Sequence, residues 1–209
     1  MKNYKKLQNG SDIRGVAITG VPGELPNLTR DEAADIAGGF LIWLCDKLNK
    51  KPEEVKIAIG RDPRVSGKAL RDGLAHGFGP YNVTMYDCGL ASTPAMFMST
   101  IFPEFECDGA IMITASHLPY NRNGFKFFTK EGGLNKGDIK EILTYAEVGN
   151  ACEEKFGPAP NKDGYTHRTG QRIFPLEDAD LMSLYCEHLR DIIIKGVDNG
   201  DKPLAGMKS

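Results

Sequence analysis

An α/β layered fold is predicted for this 209-residue chain by three observations. Short apolar runs at 55–60, 82–86 and 110–113 read as buried strands. Between them lie segments with apolar residues at helical spacing, so strands and helices alternate. Composition is that of a globular protein, 41% hydrophobic and 26% charged, which excludes disordered and collagen-like chains. Together these predict a three-layer α/β/α domain with a mixed, mostly parallel sheet flanked on both sides by helices.

Each element has its own signal. Thr29-Arg30-Asp31-Glu32 is a capping box that starts a helix running to residue 49, with Ile36, Phe40, Trp43, Leu44 and Leu48 on its core face. After strand 55–60, Ser66 is placed to open a helix to residue 78, interrupted by Gly73 and Gly77; His76 on it reads as structural. Strand 82–86 leads to Ser92-Thr93-Pro94, a proline helix start for a helix ending near 101. Strand 110–113 is followed by a loop and a second strand, 124–128, which can pair with it antiparallel. Asp138 begins a last helix, to residue 148.

Residues 1–150 are long enough for one domain, burying about 68–70% of the unfolded surface. Beyond them, 153–170 is rich in proline, glycine and charge and reads as a linker. Residues 176–195 read as a helix with Leu181, Leu184, Leu189, Ile192 and Ile193 apolar. The expected division is thus 1–150 as the α/β/α domain and 151–209 as linker plus helix leading into a second, truncated domain. Asp198-Asn199-Gly200-Asp201 reads as the turn ending that helix.

Charge and cysteine usage narrow the class further. Net charge is −2 and Lys and Arg are dispersed, so no basic tract points to nucleic acid or a membrane surface. Five widely spaced cysteines (Cys45, Cys88, Cys107, Cys152, Cys186), none in a Cys-x-x-Cys pair, read as reduced, mostly buried thiols. The start of the chain lacks an apolar signal core, and no run reaches the roughly 18 residues of a membrane span. The expected location is the cytoplasm.

The stretch that carries chemistry is Thr114-Ala-Ser-His-Leu-Pro-Tyr-Asn-Arg-Asn-Gly-Phe-Lys126. It places Ser116 at the end of a buried strand, where α/β proteins gather their ligands, and returns Lys126 on the next strand. Ser116 is therefore the candidate nucleophile. The Gly-x-Ser-x-Gly turn of hydrolases is missing, and His117, adjacent in an extended chain, points away from its neighbour and is poorly placed as its base. His117, Arg122 and Lys126 make the segment cationic, with no acid between Ser116 and Glu131. Such a niche suits a serine that becomes phosphorylated and carries about −1.5 to −2 charges. Taken alone, a Ser-His pair reads first as part of an ordinary polar hairpin, and it is the length and specificity of the string that change this.

The string resembles the phosphoserine loop of the α-D-phosphohexomutases, the phosphoglucomutase and phosphomannomutase superfamily, whose pattern is Thr-(Ala/Gly)-Ser-His-Asn-Pro followed by Asn-Gly-x-Lys. Thr114, Ala115, Ser116, His117, Pro119, Asn123, Gly124 and Lys126 match it; Leu118 stands where Asn is usual. Gly10-Ser11-Asp12-Ile13-Arg14-Gly15 resembles the family's N-terminal Gly-Thr-(Asp)-Gly-Ile-Arg-Gly element, one residue shorter, and Gly60–Gly67 resembles its Gly-x-Asp-x-Arg-x-Ser loop. For that last loop an Arg-Asp pair that stiffens the connection is the expected role.

The resemblance implies the first domain of the phosphohexomutase fold and a reversible phosphoryl transfer between hexose 1-phosphate and hexose 6-phosphate, of glucose or mannose. A phosphoserine at Ser116 and a hexose 1,6-bisphosphate intermediate would carry it. It further implies Arg14, His117 and Lys126 as catalytic groups, and Arg14, Ser116, His117, Asn123 and Lys126 as phosphate- or substrate-binding groups. A Mg²⁺ cofactor would be held here through a phosphoryl oxygen on Ser116. The family's Asp-Gly-Asp-x-Asp-Arg metal loop, sugar loop and phosphate loop belong to later domains and do not occur in this sequence. Low activity of the chain alone is therefore expected, along with self-association through the face those domains would cover. Two alternatives stand beside it: a non-catalytic module that pairs with full-length subunits, and a phosphosugar phosphatase.

Overall fold

The computed structural model describes residues 3–162, 164–166 and 172–197, in which one eight-stranded sheet carries helices on both faces. β1 (Gln8–Asn9) and β2 (Asp12–Val16) form an antiparallel hairpin turned at Gly10, whose φ of 62° is open to glycine at little cost. α1 (Arg30–Leu48) begins at the capping box: Glu32 Oε2 accepts from Thr29 N at 2.8 Å and from Thr29 Oγ1 at 2.5 Å. It ends at Asn49, a left-handed cap. Ile36, Phe40, Trp43 and Leu44 are buried as expected, whereas Leu48 in the last turn is exposed.

β3 (Lys56–Arg61), α2 (Gly67–Phe78), β4 (Thr84–Leu90), α3 (Thr93–Met98) and β5 (Gly109–Ile113) follow. β3 lies between β4 and β5 and is parallel to both, so each connection must cross the sheet on a helix. Ser92 caps α3 by accepting from Ala95 N at 3.3 Å, with Pro94 in the first turn. Ser66 does not cap α2; its hydroxyl instead accepts a bond from Asn123 Nδ2 at 2.8 Å.

β6 (Arg122–Thr129) returns directly from β5 and so runs antiparallel to it, then pairs on its other side with β2. β7 (Gly132–Gly133) adds a short hairpin. α4 (Lys136–Ala146) starts before Asp138, because Asn135 caps it: Asn135 Oδ1 accepts from Gly137 N at 2.7 Å and Asp138 N at 3.2 Å. α5 (Ala151–Phe156) occupies the start of the segment read as linker. β8 (Tyr165–Thr166) and β9 (Arg172–Ile173) pair apart from the main sheet. β10 (Glu177–Asp178) joins it parallel to β4, which delays α6 (Leu181–Val197) from the expected start at 176. The rest of the linker reading in part, the turn at 198–201 and the terminal 202–209 lie outside the described residues.

The strand order is β1-β2-β6-β5-β3-β4-β10, with β7 on β6. The mixed α/β/α class is as predicted, but parallel pairing does not dominate. It is confined to β5-β3-β4-β10, while β1, β2, β6 and β7 are antiparallel, because the tight return at 114–121 admits no crossover.

The two faces are unequal. Under α1, α2 and α4 sits the larger core, built from Ile57, Ile59, Ile111, Ile113, Phe125 and Phe127 of the sheet against Phe40, Leu74 and Ile142. Under α3 and α6 lies a smaller one around Ala58, Met96, Ala110, Met112 and Leu181. All five cysteines are free, and burial pushes the thiols of Cys45, Cys88, Cys107 and Cys152 up to about 12. Among the described residues no helix is long and apolar enough to cross a membrane. Phe127 meets Phe40 at a ring separation of 4.8 Å and is almost wholly buried. Phe127→Ala is expected to cost about 3–5 kcal/mol in urea unfolding, through lost transfer energy and a cavity.

Candidate functional site: a serine loop between two arginines

Two loops meet at one sheet end because β3 and β5 are adjacent and parallel. Residues 62–66 leave β3, residues 114–121 leave β5, and Asp62 N donates to Ile113 O at 3.0 Å. This is the carboxyl end of parallel strands, the place where such sheets bind ligands. Thr114 links the loops: its hydroxyl donates to Asp62 Oδ2 at 2.7 Å and accepts from Ser116 N at 3.0 Å. Ser116 is exposed and has φ 54°, a left-handed conformation that disfavours a side-chain-bearing residue by roughly 1–2 kcal/mol.

Arg64 gathers the loop from behind. Its Nε donates to Asp62 Oδ2 at 3.2 Å. Nη1 donates to the carbonyls of Pro119 and Arg122 at 2.8 and 3.0 Å. Nη2 donates to those of Ser116 and Leu118, each at 2.8 Å. Because this bonding runs through main-chain oxygens, Leu118 can replace the usual Asn without removing it.

The other side of the site comes from the β2–β6 pairing, in which Arg14 lies opposite Gly124. A Cβ at Gly124 would stand 2.1 Å from Ile13 O and 2.7 Å from Arg14 Cδ, so glycine is what lets the Arg14 side chain cross β6. Its guanidinium donates to Thr114 O through Nη1, and Nη2 lies 2.8 Å from Asp12 Oδ2 and 3.4 Å from Ser116 Oγ. Lys126, two positions beyond Gly124 and so on the same face, donates to both Asp12 oxygens at 2.8 and 2.6 Å. One carboxylate thus holds the lysine and the arginine, and the arginine reaches the serine.

Of the residues singled out from sequence, Arg14, Ser116 and Lys126 are brought into one cluster through Asp12. His117 is exposed on the loop beside Ser116. Asn123 is not brought in. Strand alternation turns it to the opposite face from Gly124 and Lys126, where it is fully buried and bonded to Ser66 Oγ and Gly124 N. Arg122 is also diverted, since its Nη2 donates to Glu24 Oε1 at 2.6 Å. The expected all-cationic niche therefore contains a carboxylate, Asp12. Its place two residues before Arg14 on a strand was the available signal, because i and i+2 share a face. Asp62, Arg64 and Thr114 form the supporting layer that sequence reading reduced to an Arg-Asp pair.

A model of the phosphoglucomutase/phosphomannomutase α/β/α domain I matches residues 5–150. The chain belongs to this family. A phosphoglucosamine mutase of Bifidobacterium animalis subsp. lactis is 30% identical over 182 residues, covering 87% of this chain and 37% of the relative. That of Finegoldia magna is 37% identical over 128 residues, 61% of this chain and 26% of its own length. The chain therefore spans between about a quarter and two fifths of these mutases. A solved phosphoglucomutase/phosphomannomutase family protein from Burkholderia thailandensis superposes with TM-score 0.61 at 21% identity, covering 90% of this chain and 35% of that one. At this identity it shows the shared fold.

Phosphohexomutases as a family imply Mg²⁺, and the donors here do not make a site for it. Among the described residues no three His, Cys, Asp or Glu converge on a metal-sized space. Asp12 is held by Lys126 and Arg14, and Asp62 by Thr114 and Arg64.

Glu24 ties the far end of the serine loop, accepting from Asn121 Nδ2 at 2.7 Å and from Arg122. These two bonds, that from Asn121 foremost, hold its carboxyl below the usual range. With the folded value depressed, the tether is complete above the ordinary glutamate value of about 4.3 and is lost only as pH falls through the lower folded value. In an NMR titration the Asn121 side-chain amide should shift with a midpoint below about 4.3; a midpoint at or above it would contradict this tether.

Proposed function

We propose that this chain is the phosphoryl-carrying part of a phosphohexomutase, with Ser116 passing a phosphate to and from an aldohexose phosphate. The observation that carries the reading is the Lys126–Asp12–Arg14–Ser116 chain at the exposed end of β5. Its geometry supports three roles. Arg14, 3.4 Å from Oγ, is placed to neutralise the oxygens of a phosphate borne there. His117, exposed next to it, adds a donor on the solvent side. Lys126, fixed by Asp12, serves as acid and base at the sugar hydroxyl, a contribution of about 10²–10⁴ in rate.

In the donating half-reaction the P–Oγ bond of phosphorylated Ser116 breaks as a hexose hydroxyl oxygen bonds to phosphorus. The hydroxyl proton ends on Oγ, with Lys126 as relay. The resulting bisphosphate then returns its other phosphate to Ser116 by the reverse of these steps. The named relatives support a hexose phosphate as substrate class and extend it to the amino sugar.

Incubation with glucose, mannose or glucosamine 1,6-bisphosphate, followed by intact-mass analysis, should add one phosphoryl group to the wild-type chain and none to Ser116→Ala. Label that persists in Ser116→Ala would overturn the assignment. Turnover of hexose 1-phosphate by the 209-residue chain is expected to lie far below that of the longer family members, because the metal, sugar and phosphate loops are not in this sequence. Full turnover in a coupled assay would refute that expectation.

A further inference from the structure

We infer that Arg64, together with Asp62 and Thr114, is the positioning device of the nucleophile, an inference that rests on the phosphoserine reading above. A guanidinium has five N–H groups in a fixed planar fork. In Arg64 five bonds are made, one to Asp62 Oδ2 and four to the carbonyls of Ser116, Leu118, Pro119 and Arg122. No donor remains for a phosphate, so Arg64 is not a substrate-binding arginine, although it lies within one residue layer of the nucleophile. Its side chain is only 13% exposed, as suits a group enclosed by the loop it organises.

The same assembly reaches Ser116 from its other end. Asp62 orients the Thr114 hydroxyl by accepting its proton at 2.7 Å, which leaves a Thr114 oxygen lone pair for Ser116 N at 3.0 Å. The Ser116 amide and carbonyl are thus both bonded to one Arg64–Asp62–Thr114 unit. These bonds offset the left-handed backbone at φ 54° and aim Oγ toward Arg14. Lysine cannot substitute, since an ammonium offers three donors from one point and no planar fork.

The test uses the 209-residue chain carrying Arg64→Lys or, separately, Thr114→Val, which keeps the side-chain volume and deletes the hydroxyl link. Single-turnover phosphorylation of Ser116 by a hexose 1,6-bisphosphate is followed by mass at varied ligand concentration. The maximal rate should fall about a hundredfold in each variant, the order of loss expected for a displacement near 1 Å. The half-saturating concentration should stay unchanged, because neither side chain touches ligand. Amide exchange should accelerate at Leu118 and Arg122 in Arg64→Lys and stay slow in β5 and in β6 beyond Arg122.

A wild-type maximal rate in Arg64→Lys overturns the inference, as does a raised half-saturating concentration with an unchanged rate. If β5 amides also exchange quickly, Arg64→Lys has unfolded and Thr114→Val decides by the same two criteria. Should the wild-type chain take no label at all, the phosphoserine reading falls. Exchange then judges the clamp alone, and unchanged protection at Leu118 and Arg122 ends it.

Discussion

The antiparallel docking of β6 between β5 and β2 is the constraint on which the site depends. Ser116 and Lys126 are ten positions apart across one hairpin, but Asp12 and Arg14 come from the first strands of the chain. Only the register that sets Arg14 opposite Gly124 puts Asp12, Arg14 and Lys126 on one face, beside the loop that carries Ser116. A shift by one residue would bury Lys126 in the large core and expose Phe125. The burial of Phe125, Phe127 and Ile13 on the opposite face therefore fixes the chemistry as firmly as any polar contact.

Electrostatically the cluster is a balance rather than a basic patch. Two cations face one carboxylate around Ser116, and a second, half-buried Arg–Asp pair stands behind. Asp12 keeps Lys126 and Arg14 in position without a ligand, at the cost of cancelling part of the field that would attract one. Under the proposed function, a phosphate arriving on Ser116 would compete with Asp12 for Arg14 and so give the phosphorylated and free forms different hydrogen-bond partners for that arginine.

Local signals were read correctly where the physics is local. The capping box at Thr29–Glu32, the Ser92-Thr93-Pro94 start and the return of the chain after Ser116 appear in the structure as the residues dictate. What sequence order conceals is adjacency across the sheet. Asp12 lies 114 positions from Lys126 and Arg64 lies 52 from Ser116, so neither contact leaves a periodic trace. Asn123 stands apart from the cluster for a related reason: its match to a motif says nothing about facing, whereas the alternation of β6 does. β10 is two residues long and pairs with β4, a join that carries too little pattern to be seen before α6.

The sheet's two ends have a bearing on how the molecule behaves among its neighbours. One border is Gln8–Asn9 and the other Glu177–Asp178, each only two residues long, the second doubly acidic. A stray β-segment from another molecule finds a border strand of only two residues on each side, and meets negative charge at one of them. The central strands, rich in isoleucine and phenylalanine and the most prone to stack into fibrils, are thereby kept out of reach.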